Sequence, residues 1–371
     1  MERTYKIFGK KIKINTLNNT SSEILHQELS LYPTLNTQSF DISINYVSKV
    51  AITDIISSNP TSNWLLDDSM ICKIGSATIK FYFEDHQIKR IDFSIDHEPF
   101  IRRKIHKWKS IQYASSAEAI GQIFHELILV PLAFFDNNYS VVHSSGIINS
   151  QNEGVLFGGT GGVGKTSLEM VLCLKHNCSF LNDDIAVLDT DGNCYPNFSY
   201  PKIYGYNLQG AKQLKKKIFG QLSLLNKTHY ALHELKGKNK VRRRVSPETF
   251  YGKVANKEKN ISSFVVLLRS KVDKITMEAI SADKVSDFNS IIMSTEYNSL
   301  FNHLRWHKFN ALSMGRNPFV TYDSIIEENT RNFQESLSRT DKIYLAHIPM
   351  NISNEEYKVQ MVQVLKEYGV L

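Results

Sequence analysis

The chain has 371 residues, 42% of them hydrophobic and 22% charged, with 18 glycines, 9 prolines and a formal net charge of +7. This length and composition fit two globular domains, or one large domain with an appendage, and exclude a disordered, collagen-like or low-complexity chain. The longest strongly apolar run, near residues 127–135, falls far below the ~18 residues that a membrane-spanning helix needs. Residues 1–15 lack the apolar segment and small-residue cleavage site of a signal peptide. A cytoplasmic protein without a membrane partner is therefore expected.

The first part of the chain reads as strands. Residues 5–14 and 40–47 alternate apolar and polar positions. Residues 70–95 form two or three short strands, broken by Gly75 and by the polar turn Glu84-Asp85-His86-Gln87. From residue 115 the period becomes helical: Ser116 is a candidate cap for Ala119, Ile120, Ile123, Phe124 and Leu127, and Pro131 is expected to kink or end the helix. These pieces make residues 1–135 an N-terminal α+β module, with substrate recognition as its candidate role. Residues 136–371 form a second domain.

That domain opens with the short strand Val141-Val142, which runs into His143-Ser144-Ser145-Gly146. A buried-strand pattern, Gly154-Val155-Leu156-Phe157, then leads through Gly158 into Gly159-Thr160-Gly161-Gly162-Val163-Gly164-Lys165-Thr166-Ser167 and an apolar helical pattern. Next come Asn182-Asp183-Asp184, the apolar run 185–188, a turn at Asp189-Thr190-Asp191-Gly192-Asn193, a β-rich run at 264–268, a strand at 343–348 and a helix from about residue 354 to 367. A strand, a Gly-rich turn and a helix form an α/β phosphate-site unit.

The motif carries its own physical argument. Gly159-x4-Gly164-Lys165-Thr166 fits the P-loop pattern, which average composition produces by chance in roughly one chain in a hundred of this length. Glycines let successive N–H groups curl around a phosphate, and the loop empties into a helix N-terminus that favours an anion. Lys165 supplies a positive charge at the outer phosphates, and the Thr166 hydroxyl is a hard oxygen ligand for Mg2+. Residues 159–167 are thus the candidate nucleotide site. Asp183 and Asp184 follow Lys165 by 18 and 19 positions. A helix and a returning strand would bring them back beside the loop, one for Mg2+ and the other for the proton of an attacking hydroxyl. A lone histidine such as His143 is more often structural than catalytic.

Taken together, these pieces resemble the HPr serine kinase family, whose catalytic domain has a phosphoenolpyruvate-carboxykinase-like fold. The matching stretches are His143-Ser144-Ser145-Gly146, Gly159 to Thr166 and Asn182-Asp183-Asp184, and the useful part of the match spans about residues 140–206. The resemblance implies an α/β protein with a P-loop-containing mixed sheet, and an ATP- and Mg2+-dependent kinase acting on a hydroxyl of a peptide, protein or small molecule. It makes Asp183 the base toward the acceptor, Asp184 and Thr166 metal ligands, and His143 a neighbour of the acceptor site, with Lys165 in its P-loop role. The N-terminal module differs from the sensor domain of the HPr enzyme, so the match is closer to stand-alone relatives. The family's further acidic metal ligand and downstream signature segment have no placed counterpart, and Arg243 and Arg244 are the candidates for its phosphate-contacting arginine.

Two other readings use different residues. Residues 186–192 imitate the D-x-x-G element of a GTP-hydrolysing switch, and Ser270-Lys271-Val272-Asp273 imitates a guanine-reading segment. Asp-Gly is also a common hairpin signal. The basic block from Lys212 to Arg244 points to an anionic acceptor. It has little aromatic interleaving, so nucleic acid is not the expected partner. Four cysteines, Cys72, Cys173, Cys178 and Cys194, show no paired spacing for zinc or a disulfide framework. A homo-oligomer is compatible with all of this.

Overall fold

In a computed structural model the chain is a mixed α/β protein; the structure describes residues 1–96, 110–113, 116–208 and 212–371. The Ser116 cap expected from sequence lies outside the described side chains.

The N-terminal strands are β1 (Glu2–Ile7), β2 (Lys10–Asn15), β3 (Thr34–Leu35), β4 (Ile42–Tyr46), β5 (Ser57–Ser58), β6 (Trp64–Leu65), β7 (Ser69–Ile74), β8 (Ala77–Glu84) and β9 (Gln87–Ile95). They form one sheet in the order β3-β1-β2-β4-β9-β8-β7-β6-β5. The alternation read from sequence is the reason: Tyr5, Ile7, Ile12 and Ile14 all point into the core. Tight turns with positive φ join the hairpins, at Phe8-Gly9 and at Asp85-His86.

A helical stretch covers this sheet. It runs from Ala119–Phe124 through a π-turn, His125–Leu129, into Val130–Phe134. Phe124 packs edge-on to Phe93, and Phe135 edge-on to Phe81. Pro131 does not end the helix; it sits in the first turn of the last segment, directly after the π-turn. Proline cannot donate to the ladder, and the ladder widens just before it.

The second half contributes β10 (Tyr139–Val142), β11 (Ser144–Ile148), β12 (Gly154–Gly158), β13 (Ser179–Asn182), β14 (Ala186–Asp189), β15 (Asn193–Tyr195), β16 (Lys202–Tyr204), β17 (Arg242–Arg244), β18 (Lys259–Ser270), β19 (Thr276–Ala279) and β20 (Lys342–Pro349). Parallel strands β12, β18 and β20 form the centre, with β12 and β20 on opposite edges of β18. On the far side of β12, β11 runs antiparallel to both β12 and β13. β13 therefore runs the same way as β12 and ends at the same side of the sheet. β16 and β17 form a separate two-stranded ribbon.

The two halves share one buried apolar cluster. Of three helices with no sequence expectation, Ala282–Glu296, Asn298–Ser313 and Tyr322–Ser338, the middle one packs against β6 and β7 and the last against β10 and β14. Asn310 bonds Ser57 Oγ at 2.7 Å and the Asn59 carbonyl at 2.7 Å, and Phe319 stacks on Phe83. Asn289 and Asn329 bond the backbone of Val141. Among the described residues no helix is long and apolar enough to cross a membrane, and the four cysteines are buried free thiols.

Arg244 of β17 forms a bidentate pair with Glu28 of the helix Thr20–Glu28, at 2.7 and 2.9 Å, with both side chains 5% exposed. Arg244→Met is expected to cost about 3–5 kcal/mol by stranding a buried carboxylate. Glu28→Met together with Arg244→Met should recover most of that loss. Denaturant titration of the single and double variants checks both, and a double variant no more stable than the single one would show that the charges are not what matters.

Candidate functional site

β12 delivers the chain to the glycine loop at the end of the sheet where its parallel neighbours also finish. Two glycines are required there. Gly159 has φ +135°, and a Cβ on it would lie 2.6 Å from the Leu267 carbonyl oxygen of β18. Gly164 has φ +112° and caps the helix Lys165–Lys175 in a left-handed conformation; a Cβ on it would lie 2.6 Å from the Tyr357 ring. No side chain caps this helix, so its first N–H groups remain available to a ligand.

The loop faces a cavity of about 430 Å3, lined by Gly161, Gly162, Gly164, Lys165, Thr166 and Ser167, and by Asp183, Asp184, Lys202, Tyr204, Arg242, Arg269 and Tyr357 among others. That volume lies within the ~300–1,000 Å3 usual for small-molecule sites. Lys165, Lys202, Arg242 and Arg269 outnumber the two carboxylates in this wall, so its field favours an anion. Lys165 is 5% exposed and folds back onto its own loop, donating to the carbonyls of Gly159 at 2.8 Å and Thr160 at 3.0 Å. Burial pulls its pKa below the usual lysine value.

Asp183 and Asp184 follow β13 directly and reach the same cavity, but their side chains diverge. Asp184 adopts φ +64°, a left-handed turn that Asp tolerates better than most residues. Asp183 is 4% exposed and accepts from Ser145 Oγ at 2.8 Å and Thr166 Oγ1 at 3.0 Å. Burial, and next the charge of Asp184, push its pKa up to about 6 against the pull of those hydroxyls. Asp184 accepts from Lys202 Nζ at 3.0 Å. Burial works against its charge, but Lys202, joined by His143 and Lys165, more than offsets that and holds it below the usual carboxylate range.

His143 Nε2 lies 4.0 Å from Asp184 Oδ1, beyond hydrogen-bond reach. Burial and then Lys165 lower its pKa to about 4, so it is neutral at pH 7. Its backbone N–H is fixed by Asn289 Oδ1 at 3.1 Å. His143, Asp184 and Lys202 also line a second cavity of about 190 Å3, which therefore meets the first at Asp184 and Lys202.

The glycine loop 159–167, Asp183 and Asp184 thus gather at one cavity, with His143 on the cavity that adjoins it. Arg243 and Arg244 do not join them. Arg243 is buried against His229 and backbone carbonyls, and Arg244 pairs with Glu28. The arginines that face the cavity are Arg242, which pairs across the ribbon with Tyr204, and Arg269. The basic block is consequently divided: Arg243 and Arg244 are structural, Lys215 pairs with Glu234, and Lys216, Lys217, Lys236, Lys238 and Lys240 are exposed.

Sequence reasoning also missed Lys202, Ser145 and the fully buried Glu169 of the loop helix. Burial, then Asp183, raises the Glu169 pKa well above the carboxylate range. Only Arg269 carried a signal, since it stands near the end of a strand parallel to β12. The switch-like segments do not line the glycine-loop cavity; Asp189 accepts from Asn193 and Tyr195 in the β14–β15 turn.

Asp183 supplies a pH-dependent stability test. Its folded pKa of about 6 lies above the unfolded 3.8, so the native state binds more protons in that window and loses stability as pH rises through it. Asp183→Asn removes this penalty. The variant should melt higher than the parent at pH 7.5, with the difference shrinking toward pH 4, in thermal denaturation without added metal or nucleotide. Equal melting temperatures at pH 7.5 would refute the burden placed on Asp183. In comparisons with known proteins, the chain matches no family model and no curated protein.

Proposed function

We propose that the protein is an ATP- and Mg2+-dependent kinase that transfers the γ-phosphoryl group to a hydroxyl. The observation carrying this is one cavity holding a glycine loop at an uncapped helix N-terminus together with two carboxylates, with Thr166 Oγ1 3.0 Å from Asp183 Oδ1. The loop is read as a P-loop and the core as a relative of the phosphoenolpyruvate-carboxykinase-like fold.

The residues fit a magnesium site of the kind that uses one or two protein oxygens and completes its shell with phosphates and water. Among the described residues no group of three or more His, Cys, Asp or Glu side chains is placed to hold a metal ion. Thr166 and Asp183 would hold the ion. Bound there, Mg2+ would neutralise charge on the β- and γ-phosphates.

The chain's own groups do the rest. The loop N–H groups and the helix N-terminus take the phosphates, and Lys165 exchanges its two loop carbonyls for phosphate oxygens. Arg242 and Arg269 add positive charge along the cavity wall. The placement of the carboxylates favours a division of labour opposite to the one implied by the resemblance. Asp183 is tied to Thr166, whereas Asp184 stands where the two cavities meet and is held ionised by Lys202. Asp184 is therefore the better-placed acceptor for the hydroxyl proton. An aspartate that accepts the acceptor's hydroxyl proton is a recurring part of phosphoryl-transfer sites.

Labelled ATP and Mg2+, incubated with a cell extract and analysed by mass spectrometry, test the reading through a phosphorylated product. Lys165→Met should lower transfer about 10²–10³-fold. Asp184→Asn should lower kcat about 10²–10⁴-fold with little change in nucleotide affinity, whereas Asp183→Asn should raise the Mg2+ concentration required. Nucleotide binding without any labelled product, coupled to a clear guanine preference, would favour the GTP-hydrolysing switch instead.

A further inference from the structure

We propose that the 190 Å3 cavity is the acceptor site and that it selects a small hydroxyl compound, or a single exposed residue, carrying an aliphatic group and a positive charge; this rests on the kinase reading above. The cavity lies beyond Asp184 and Lys202 from the glycine loop, so a hydroxyl inside it would face the end of a nucleotide held by that loop. It is too small for a drug-sized ligand and matches one amino-acid-sized group.

Its wall has two parts. Ile74, Leu127, Pro131, Ile185 and Leu300 make an apolar side. Ile74 comes from β7 of the N-terminal sheet, and Leu127 and Pro131 come from the helical stretch covering that sheet, so the N-terminal module shapes the acceptor site. The polar side carries Glu126, Asp184 and Glu296 against Lys202 as the only charged base among the described lining residues. Lys202 is already engaged by Glu126 at 2.8 Å and Asp184 at 3.0 Å. His143 is 7% exposed, its Nδ1 has no hydrogen-bond partner in the described structure, and it contributes no charge at pH 7. A carboxylate- or phosphate-bearing acceptor would meet repulsion from this wall, while an ammonium would be attracted. The exposed lysines of the basic block favour the opposite charge, but none of them lines this cavity.

The step balances simply. The acceptor oxygen bonds to the γ-phosphorus as the β–γ bridging bond breaks, ADP leaves with that electron pair, and the hydroxyl proton passes to the Asp184 carboxylate.

Three acceptors of similar size and shape decide the matter: leucinol (cationic), 4-methyl-1-pentanol (neutral) and 2-hydroxy-4-methylpentanoate (anionic). Each is mixed with the full-length protein, Mg2+ and labelled ATP, and kcat/KM is measured. A peptide with N-terminal serine provides the second source of a hydroxyl beside an ammonium, and its rate relative to leucinol tells a peptide terminus from a free amino alcohol. The cationic acceptors should exceed the anionic one by at least tenfold. Glu296→Lys should shrink that ratio at least fivefold, and Ile74→Trp should raise the acceptor KM more than tenfold, with ATP affinity measured alongside to confirm an intact fold. Transfer that favours the anion, or is indifferent to charge, overturns the proposal and leaves the kinase standing. The same holds if an extract yields a phosphorylated product while leucinol and the serine peptide both fail. No phosphorylated product from any source overturns both.

Discussion

Two adjacent carboxylates forced into one cavity set the terms for everything around them. Like charges on neighbouring residues disfavour each other's ionisation, and the structure relieves this geometrically. The left-handed turn at Asp184 sends the two side chains to different partners. Asp183 goes to the hydroxyls of Ser145 and Thr166, and Asp184 goes to Lys202. Their pKa values move in opposite directions: burial and the Asp184 charge push Asp183 up to about 6 despite its two hydroxyl partners, while Lys202 with His143 and Lys165 holds Asp184 down against burial. Environments that push two titratable neighbours apart give them different chemical roles.

This arrangement depends on strand order. β11 reverses direction between β12 and β13, so the loop after β12 and the aspartates after β13 emerge on the same side of the sheet, with Ser145 of β11 between them. β18 runs beside β12 and brings Arg269 toward the same end. The β16–β17 ribbon crosses the cavity from outside. On one strand it carries Lys202 and Tyr204 and on the other Arg242, while Arg244 opposite Lys202 reaches Glu28 in the N-terminal half. A charge pair 5% exposed on both sides thus lies across the ribbon from the lysine that holds Asp184.

The parts of this that sequence made legible are those governed by local rules. Alternating residues 5–14 became the β1–β2 hairpin, the polar turn at 84–87 joined β8 to β9, and the C-terminal helix spans Asn354–Glu367 as its pattern indicated. The glycine spacing placed loop and helix for the same reason, because φ and close packing at Gly159 and Gly164 admit little else. What escaped was fixed by tertiary contact. Lys202 follows Asp184 by 18 residues and belongs to no local pattern; only the ribbon's position makes it a partner. The basic block looked uniform in sequence, yet strand pairing in β17 alternates its fate: Arg242 faces the cavity, and Arg243 is buried against His229. The three helices from Ala282–Glu296 to Tyr322–Ser338 drew no reading from sequence; the middle one packs against β6 and β7 and the last against β10 and β14, contacts between residues far apart in the chain that no local pattern announces.

That last point bears on why the halves are joined as they are. An acceptor wall built from Ile74, Leu127 and Pro131 on one side and His143, Asp184 and Ile185 on the other has its shape only while the two sheets keep their spacing. Asn310, bonded to Ser57 and Asn59, and the Phe83–Phe319 stack hold the N-terminal sheet to the C-terminal helices. Asn289 anchors the backbone on both sides of Val142, through the Val141 carbonyl and the His143 N–H. One helix therefore fixes the histidine at the cavity while its neighbour, Asn298–Ser313, fixes the opposite wall. Positioning to within fractions of an ångström is what converts a phosphate cradle and a carboxylate pair into a transfer site, and here that positioning is supported by the amide side chains of Asn289 and Asn310, which take no part in the chemistry themselves.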